Sequence, residues 1–200
     1  MTWKDIKLAT LQKMFSADGS NIPNDDSTKD YLAGMPYAAN EGLLMMCTDK
    51  KRIIRTADFD NTAGVASGRF RKIIMSGQIP DFYQFSGEVY YTEGQNRIRT
   101  QAYYTESNNV LVLPKDFGGV YTVYYFAYPE EITLATLDDY EPDVAPDALA
   151  ILPLYMASQL YKEDDNGIAT SLRNEFEVAY ERLRQDNPLC RFEPIDESGW

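Results

Sequence analysis

Apolar residues along the chain change their spacing twice. Over residues 2–15 and 27–47 they recur every three or four positions, and the same spacing returns over residues 146–162 and 168–184. This period predicts four α-helices, two near each end of the chain. The third of these segments is apolar on nearly every side, so we expect it to be buried against other elements or other subunits.

Several residues indicate where these helices begin or bend. Thr2 with Asp5 three positions later predicts a capping box for the first helix. Pro146 suits the first turn of the third helix, where its missing N–H costs nothing. Pro36 and Pro153 stand inside helical patterns and are expected to kink or split those helices.

The middle of the chain has a different pattern. Over residues 51–128 short runs of aromatic and β-branched residues alternate with turn residues, and nine of the 15 tyrosines lie between Tyr83 and Tyr128. This pattern predicts six or seven antiparallel strands in a small sandwich or barrel. The tyrosines are interpreted as core residues and cross-strand pairs, with stacking on bases or sugars as the alternative.

The resulting fold class is α+β. We expect a helical bundle of about four helices drawn from both chain ends, residues 1–49 and 140–186, with an inserted antiparallel β-sandwich or barrel-like module. The module and an acidic connector occupy residues 50–139, and an extended docking tail covers residues 187–200. Within residues 129–147 there are seven acidic residues and no Lys or Arg.

Charge and composition limit the possible partners. The net charge is −12, and a chain this acidic is not built to hold nucleic acid by charge. There is no apolar run of the roughly 18 residues that predict a transmembrane helix, and the charged N-terminus does not resemble a signal peptide. Cys47 and Cys190 without a CxxC motif are expected to be free thiols, so we expect a soluble protein made in the cytoplasm.

The sequence offers little to catalysis. It contains no histidine, which excludes a Ser-His-Asp or Cys-His arrangement within one chain, and it has no glycine-rich phosphate-binding motif. The nearest metal-binding candidate, residues 163–167, does not match an EF-hand because Lys162 stands at the first loop position. We expect a turn there whose Asp or Asn caps the next helix, and we predict no catalytic residue, metal or cofactor.

Two segments are candidates for contacts with other molecules. The first is basic, and it has two interpretations: solvated strand faces, or a contact with an acidic neighbour or a phosphate backbone. Its candidate residues are Lys51, Arg52, Arg55, Arg69, Arg71 and Lys72.

The second candidate segment is the tail. Large apolar residues there are predicted to lie on a partner or, alternatively, on the body of the same chain, and Pro188 and Pro194 would reduce the entropy lost on docking. These residues are Leu189, Phe192, Ile195 and Trp200.

One stretch of the chain resembles a known family. The apolar helix, acidic turn and following helix over residues 148–183 read ALAILPLYMASQLYKEDDNGIATSLRNEFEVAYERL. This segment resembles the head–tail adaptor (connector) proteins of tailed bacteriophages. The N-terminal run TKDYLAGMPYAANEGLLMM is similar, more weakly, to the partner helices in that family.

The resemblance implies a non-enzymatic virion protein of the phage neck, synthesised in the host cytoplasm. Family members form a homo-oligomeric ring, typically dodecameric, below the portal, where they extend the DNA channel and link capsid to tail. The implied partners are the portal protein, the next neck or tail protein, and double-stranded DNA that passes through without sequence-specific binding. In this chain residues 187–200 would reach the portal or a neighbouring subunit.

Other functions remain open at this point. A tail-completion or stopper protein of the neck is one alternative, although such proteins are usually smaller and mostly β. A carbohydrate- or receptor-binding β module on a helical support is another, and it would present exposed aromatic residues on one rim. An enzyme would require carboxylates that converge in a pocket.

Overall fold

The computed structural model describes residues 1–15, 22, 26–61, 69–93, 96–115 and 118–185. Within these residues the fold is α+β, with five helices and two antiparallel sheets. The helices are α1 (Trp3–Met14), α2 (Asp26–Asp49), α3 (Met75–Gln78), α4 (Pro146–Leu160) and α5 (Asn166–Arg182). The strands are β1 (Ile53–Asp60), β2 (Phe70–Ile74), β3 (Phe82–Glu93), β4 (Asn96–Arg99), β5 (Tyr104–Glu106), β6 (Val110–Pro114) and β7 (Val120–Ala127).

The predicted starts of α1, α4 and α5 are confirmed, and α2 begins at Asp26, one residue before its predicted start. At α1 the backbone N–H of Asp5 donates to Thr2 Oγ1 at 3.2 Å, and the N–H of Thr2 donates to Asp5 Oδ2 at 2.9 Å, which is the capping box. Pro146 occupies the first turn of α4. At α5 the side chain of Asp165 accepts hydrogen bonds from the backbone N–H groups of Gly167 and Ile168, at 2.9 and 3.0 Å.

Pro36 and Pro153 are predicted to kink or split their helices. Pro36 lies inside a continuous α2 and Pro153 inside a continuous α4, so neither helix is split, and the kink stays a prediction. Each proline removes one backbone hydrogen bond, at a cost of about 3 kcal/mol. Apolar packing offsets this cost, because Met35 next to Pro36 and Leu152 next to Pro153 are both fully buried.

The helices that precede and follow the strands share one hydrophobic core. The nearly all-apolar α4 contacts α1, α2 and α5, as its pattern predicted. Gly42 of α2 permits a close approach, since a Cβ there would lie 2.8 Å from the Cδ1 of Leu152. The fully buried members of this core include Ile6, Leu11, Met35, Leu43, Met46, Leu152 and Phe176.

The seven strands of the described residues confirm the predicted number and form sheets with strand orders β1-β7-β3-β4 and β2-β6-β5. Every pairing is antiparallel. The β1–β7 pair joins segments far apart in sequence, with Ile53 opposite Ala127 and Asp60 opposite Val120. The short helix α3 between β2 and β3 was not predicted.

Both sheets contribute to a second hydrophobic core. Val89 and Val123 of the larger sheet and Leu111 and Leu113 of the smaller sheet are completely buried in one cluster. Residues from two sheets meeting in one core are typical of a sandwich. Cys47, near the end of α2, also belongs to this cluster and so joins the helices to the strands.

Many of the tyrosines form cross-strand pairs. The rings of Tyr90 and Tyr124 have centroids 5.4 Å apart, and those of Tyr91 and Tyr121 are 5.2 Å apart. Both pairs bridge β3 and β7, which are neighbours in the larger sheet. The interpretation of these tyrosines as core and cross-strand residues therefore fits the structure.

The connector after β7 makes many of its contacts with the helices, although the sequence grouped its first part, up to residue 139, with the strands. The backbone N–H of Trp3 donates to the carbonyl of Tyr140 at 2.7 Å. Asn40 of α2 holds Ile132 by two hydrogen bonds, donating to its carbonyl at 2.8 Å and accepting from its N–H at 2.9 Å. Ile132 is buried in the helical core, so the contacts of the connector begin well before residue 140.

None of the helices in the described residues is long and apolar enough to cross a membrane. The predicted docking tail, residues 187–200, lies outside the described residues.

Candidate interaction surfaces

The six basic candidate residues fall into two groups in the structure. Lys51, Arg52 and Arg55 lie at and beside the start of β1, an edge strand of the larger sheet. Arg69, Arg71 and Lys72 lie at and beside the start of β2, an edge strand of the smaller sheet. The basic residues that form one segment of the sequence are therefore divided between two sheets.

The first group has acidic partners within the chain. The buried Lys51 ammonium lies 2.7 Å from a carboxylate oxygen of Asp147, at the start of α4. The Arg55 guanidinium lies 2.6 Å from Asp81 and 3.4 Å from Asp143 of the connector. The pairs with Asp147 and Asp143 attach the start of β1 to the segments that follow β7, and the pair with Asp81 attaches it to the start of β3.

Arg52 differs from its neighbours. Its guanidinium lies over the ring of Phe126, 4.8 Å from the centroid. Its Nε is buried and has no hydrogen-bond partner among the described residues. A groove of about 340 Å³ runs past Lys51, Arg52 and Asp143, so both signs of charge line it.

The second group is more exposed. Lys72 forms a 2.8 Å ion pair with Glu106 of β5, and this hydrogen bond raises the pKa of Lys72 above its ordinary value. Arg71 donates to the backbone carbonyl of Asp60. Arg69 is exposed, and its carbonyl accepts the N–H of Lys115 at 3.0 Å. The intermolecular contact predicted for the six residues stays a prediction, with Lys51, Arg55 and Lys72 already paired inside the chain.

The four tail candidates, Leu189, Phe192, Ile195 and Trp200, lie outside the described residues. The last described helix, α5, ends at Arg182, and the description reaches residue 185. The role predicted for the tail as a partner-binding segment therefore stays a prediction.

Sequence reasoning missed three exposed apolar side chains, Tyr37 of α2 and Leu134 and Leu137 of the connector, which we call the connector knob. Tyr37 is 73% exposed, and each leucine is 70% exposed. Leu134 stands in a turn closed by the N–H of Thr136 and the carbonyl of Thr133, while the neighbouring Ile132 is buried. The available signal was apolar residues inside an acidic segment that has no Lys or Arg.

A second missed surface is the outer face of the small sheet, which carries the exposed residues Phe70, Ile74 and Tyr104. These three residues are 50%, 58% and 45% exposed, respectively, and Val112 on the same face is fully buried. Phe70 and Tyr104 contact edge to face with centroids 5.9 Å apart. Lys72 stands between Phe70 and Ile74 on this face, opposite Val112, and forms its ion pair with Glu106 there. On the other face of β2, Ile73 is buried in the core. The apolar run at residues 73–74 was the sequence signal for it.

The two aspartates of the acidic turn have partners within the chain. In the acidic turn Asp164 accepts the hydroxyl of Tyr31 and Asp165 caps α5. The described residues hold no group of three or more Cys, Asp or Glu side chains arranged to bind a metal. Burial raises the pKa of the Cys47 thiol to about 12, which keeps it protonated and unreactive at neutral pH.

These surfaces are candidates for contacts with other proteins. A large exposed apolar side chain is unremarkable alone, but several of them together with a rim of charge are typical of an interaction site. A comparison of the chain with protein-family models and another with curated proteins each found no match.

Proposed function

We propose that this chain is a head–tail adaptor of a tailed bacteriophage, a structural protein of the virion neck. In this proposal its copies form a ring below the portal that extends the DNA channel and links the capsid to the tail. Its partners are further copies of itself, the portal protein, and the next neck or tail protein.

The observation that carries the proposal is the shared core of helices from both halves of the chain. Ile6 of α1, Met35 of α2, Leu152 of α4 and Phe176 of α5 meet in one buried cluster, although seven strands separate α2 from α4 in sequence. This layout supports a helical bundle with an inserted β module. It is the layout that the adaptor resemblance of residues 148–183 implies.

Exposed apolar surface is a second support. The connector knob and the outer face of the small sheet lie on different elements, and both remain uncovered in the single chain. A subunit that is buried between neighbours in an assembly would cover such surfaces.

The charge of the chain is compatible with a DNA channel. With a net charge of −12, a ring of copies would repel the phosphate backbone rather than bind it. In this proposal repulsion keeps the duplex mobile in the channel, while contacts between proteins carry the mechanical load.

Mass photometry of the full chain, alone and mixed with the portal ring of the same phage, tests the proposal. The expected result is a ring of copies on the portal. Failure of the chain to join the portal at micromolar concentration would refute the adaptor function.

The tail provides a sharper variant. Replacing Leu189, Phe192, Ile195 and Trp200 by Ser should abolish portal binding while leaving the circular dichroism spectrum unchanged. A matched variant that replaces the exposed Ile168 and Val178 of α5 by Ser controls for a general loss of apolar surface. Full portal binding by the tail variant would show that the tail is not the docking segment.

One observation favours a carbohydrate-binding module as a second candidate. Phe70 and Tyr104 form an exposed aromatic pair on the β module, and aromatic rings are suitable platforms for sugars. A glycan array with the wild-type chain and a Phe70→Ala variant tests it. Glycan binding that the substitution abolishes, by a chain that ignores the portal, would favour this candidate.

A further inference from the structure

We propose that in the free chain the tail, residues 187–200, docks in the groove beside the start of β1. This is the groove of about 340 Å³ that passes Lys51, Arg52 and Asp143, and Ile54 and Val144 line it as well; we call it the β1 groove. The occupant of the groove is therefore a segment of the same chain. The contact goes beyond the proposed adaptor function and does not depend on it.

The end of α5 lies beside this groove. The Lys50 ammonium donates to the backbone carbonyls of Tyr180 and Glu181, at 2.8 and 3.3 Å. The hydroxyl of Tyr180 donates to Asp49 at 2.6 Å, so the last turn of α5 is fixed to the end of α2. Lys50 stands only two residues before Arg52, which is at most about 7 Å of chain. A few extended residues, at about 3.3 Å each, therefore suffice to lead from α5 to the groove.

The charges of the groove leave Arg52 without a carboxylate. Lys51 is paired with Asp147, and Asp143 lies beside Arg55. Within the described residues Arg52 forms no ion pair, and its buried Nε has no hydrogen-bond partner. A buried N–H group without an acceptor lowers stability until a partner supplies one. The groove therefore favours an occupant that brings a carboxylate.

The ring of Phe126 prepares Arg52 for such an occupant. The guanidinium lies over this ring, 4.8 Å from the centroid, and the stacking restricts its plane. A guanidinium held in one plane loses less entropy when it donates the two parallel hydrogen bonds that a carboxylate accepts. Nearby, Ile54 is 43% exposed on the edge strand β1, and Val144 is half-buried. The groove thus combines one cation with apolar side chains.

The tail carries the complementary groups. Its charged residues are three acids and one arginine, namely Glu193, Asp196, Glu197 and Arg191. Its large apolar residues are Leu189, Phe192, Ile195 and Trp200. An acidic, apolar segment matches a groove that holds a cation beside apolar side chains. Because the tail is attached to α5 close to the groove, its effective concentration there is of millimolar order, which favours the chain's own tail over that of another copy.

A disulfide trap tests the contact in the full chain. The tail contains Cys190, and the native Cys47 is buried, so Ile54→Cys adds the one partner that is needed. With oxidised glutathione this variant should form an intramolecular disulfide about tenfold faster than the control Ile98→Cys, at a rate independent of protein concentration. Ile98 is 49% exposed on β4, at the opposite edge of the same sheet. Equal rates in the two variants, or linked dimers whose formation rises with concentration, would overturn the proposal.

A double-mutant cycle tests the role of Arg52. In the Ile54→Cys background, Arg52→Gln should slow the disulfide to the rate of the control. Replacing the three tail acids by their amides should have the same effect, and both changes together should slow it no further. Arg97→Gln is the matched variant that should leave the rate unchanged, because Arg97 also lies over aromatic rings but outside the groove. Additive effects of the two changes, or an unchanged rate in a folded Arg52→Gln chain, would refute recognition of the tail by Arg52.

The portal distinguishes this inference from the proposed function, in which the tail binds the portal. If both hold, the groove and the portal compete for the tail, so the oxidised Ile54→Cys chain should not join the portal until it is reduced. A locked chain that joins the portal as well as the reduced chain would overturn this competition. A fast disulfide in a chain that ignores the portal when reduced would keep the groove contact and refute the adaptor. A slow disulfide in a chain that forms a ring on the portal would keep the adaptor and refute the contact.

Discussion

The approach of α2 to α4 can be tested at two glycines of the same helix. A Cβ at Gly42 would lie 2.8 Å from Leu152 Cδ1 and 2.9 Å from Tyr155 Cδ1, whereas a Cβ at Gly34 would meet Leu160 Cδ2 alone, also at 2.8 Å. Leu152 and Tyr155 are buried, but Leu160 is half-buried near the end of α4. The same substitution, Gly→Ala, therefore meets a fixed obstacle at one site and a movable one at the other.

The magnitude follows from two opposing effects. Ala in place of Gly in a helix interior gains about 1 kcal/mol at both positions. At Gly42 the new methyl lies too close to its neighbours, whose side chains must move outward to reach an ordinary separation of about 3.5–4 Å. Such overpacking costs about 1–3 kcal/mol. The Tyr155 ring cannot move away because Phe176 contacts it edge to face, with centroids 5.1 Å apart. We expect Gly42→Ala to lower the free energy of unfolding by about 1 kcal/mol and Gly34→Ala to leave it equal or raise it.

Equilibrium urea unfolding followed by circular dichroism at 222 nm measures both variants against the wild type. Thermal scans should separate the variants by several degrees, since about 1 kcal/mol corresponds to about 2–4 °C in a chain of this size. Equal stability of the two variants, or a more stable Gly42→Ala, would refute the packing of Leu152 and Tyr155 against α2. The shared helix removes intrinsic propensity as an explanation for any difference.

Three further predictions concern groups that join the helices, the connector and the strands. Asp147→Asn should lower the free energy of unfolding by about 2 kcal/mol in chemical denaturation, because it removes the carboxylate that pairs with the buried Lys51 ammonium. Lys51→Met should lower the free energy of unfolding by less, and the reverse order of the two variants would contradict the ion pair. Asn40→Ala removes both hydrogen bonds between Asn40 and the backbone of Ile132, so it should lower the free energy of unfolding by about 2 kcal/mol. It should also speed hydrogen exchange at the N–H of Ile132. Burial raises the pKa of Cys47 from 9.0 to about 12, so the protonated thiol contributes stability that is complete below pH 9 and is lost as the pH rises toward 12, by about 4 kcal/mol at most. The Cys47→Ala variant should therefore lose less stability than the wild type across this window. Identical curves of stability against pH for the two proteins would exclude the effect.

Local patterns allowed much of the fold to be predicted. Thr2 and Asp5 specify a capping box within four residues, and Asp165 before Asn166 specifies the start of α5, so both helix starts depend only on neighbours in sequence. The strand number followed from the alternation of apolar runs with turns. These features are fixed by short-range backbone geometry, which a single sequence contains.

Long-range pairing was the part that the sequence did not contain. The basic residues near Arg52 and Arg71 form one segment in composition, but β1 pairs with β7 and β2 pairs with β6, so the fold separates them. The burial of Lys51 depends on Asp147, which is 96 positions away. Likewise, the exposure of Leu134 could be recognised only once the connector was placed against α2.

The contacts between the two cores bear on whether the ring of the proposed adaptor function can close. Cys47 carries the end of α2 into the core of the strands, and Val144 of the connector packs against both hydrophobic clusters. The ion pair of Lys51 with Asp147 links the segment between α2 and β1 to the start of α4. Both connections between helices and strands are thus held by side-chain contacts in addition to the backbone. A heterologous contact closes into a ring only if every copy presents its two surfaces at the same angle, and a freely jointed module would vary that angle. Loosening this junction by Asp147→Asn should therefore broaden the size distribution of the assemblies that form on the portal.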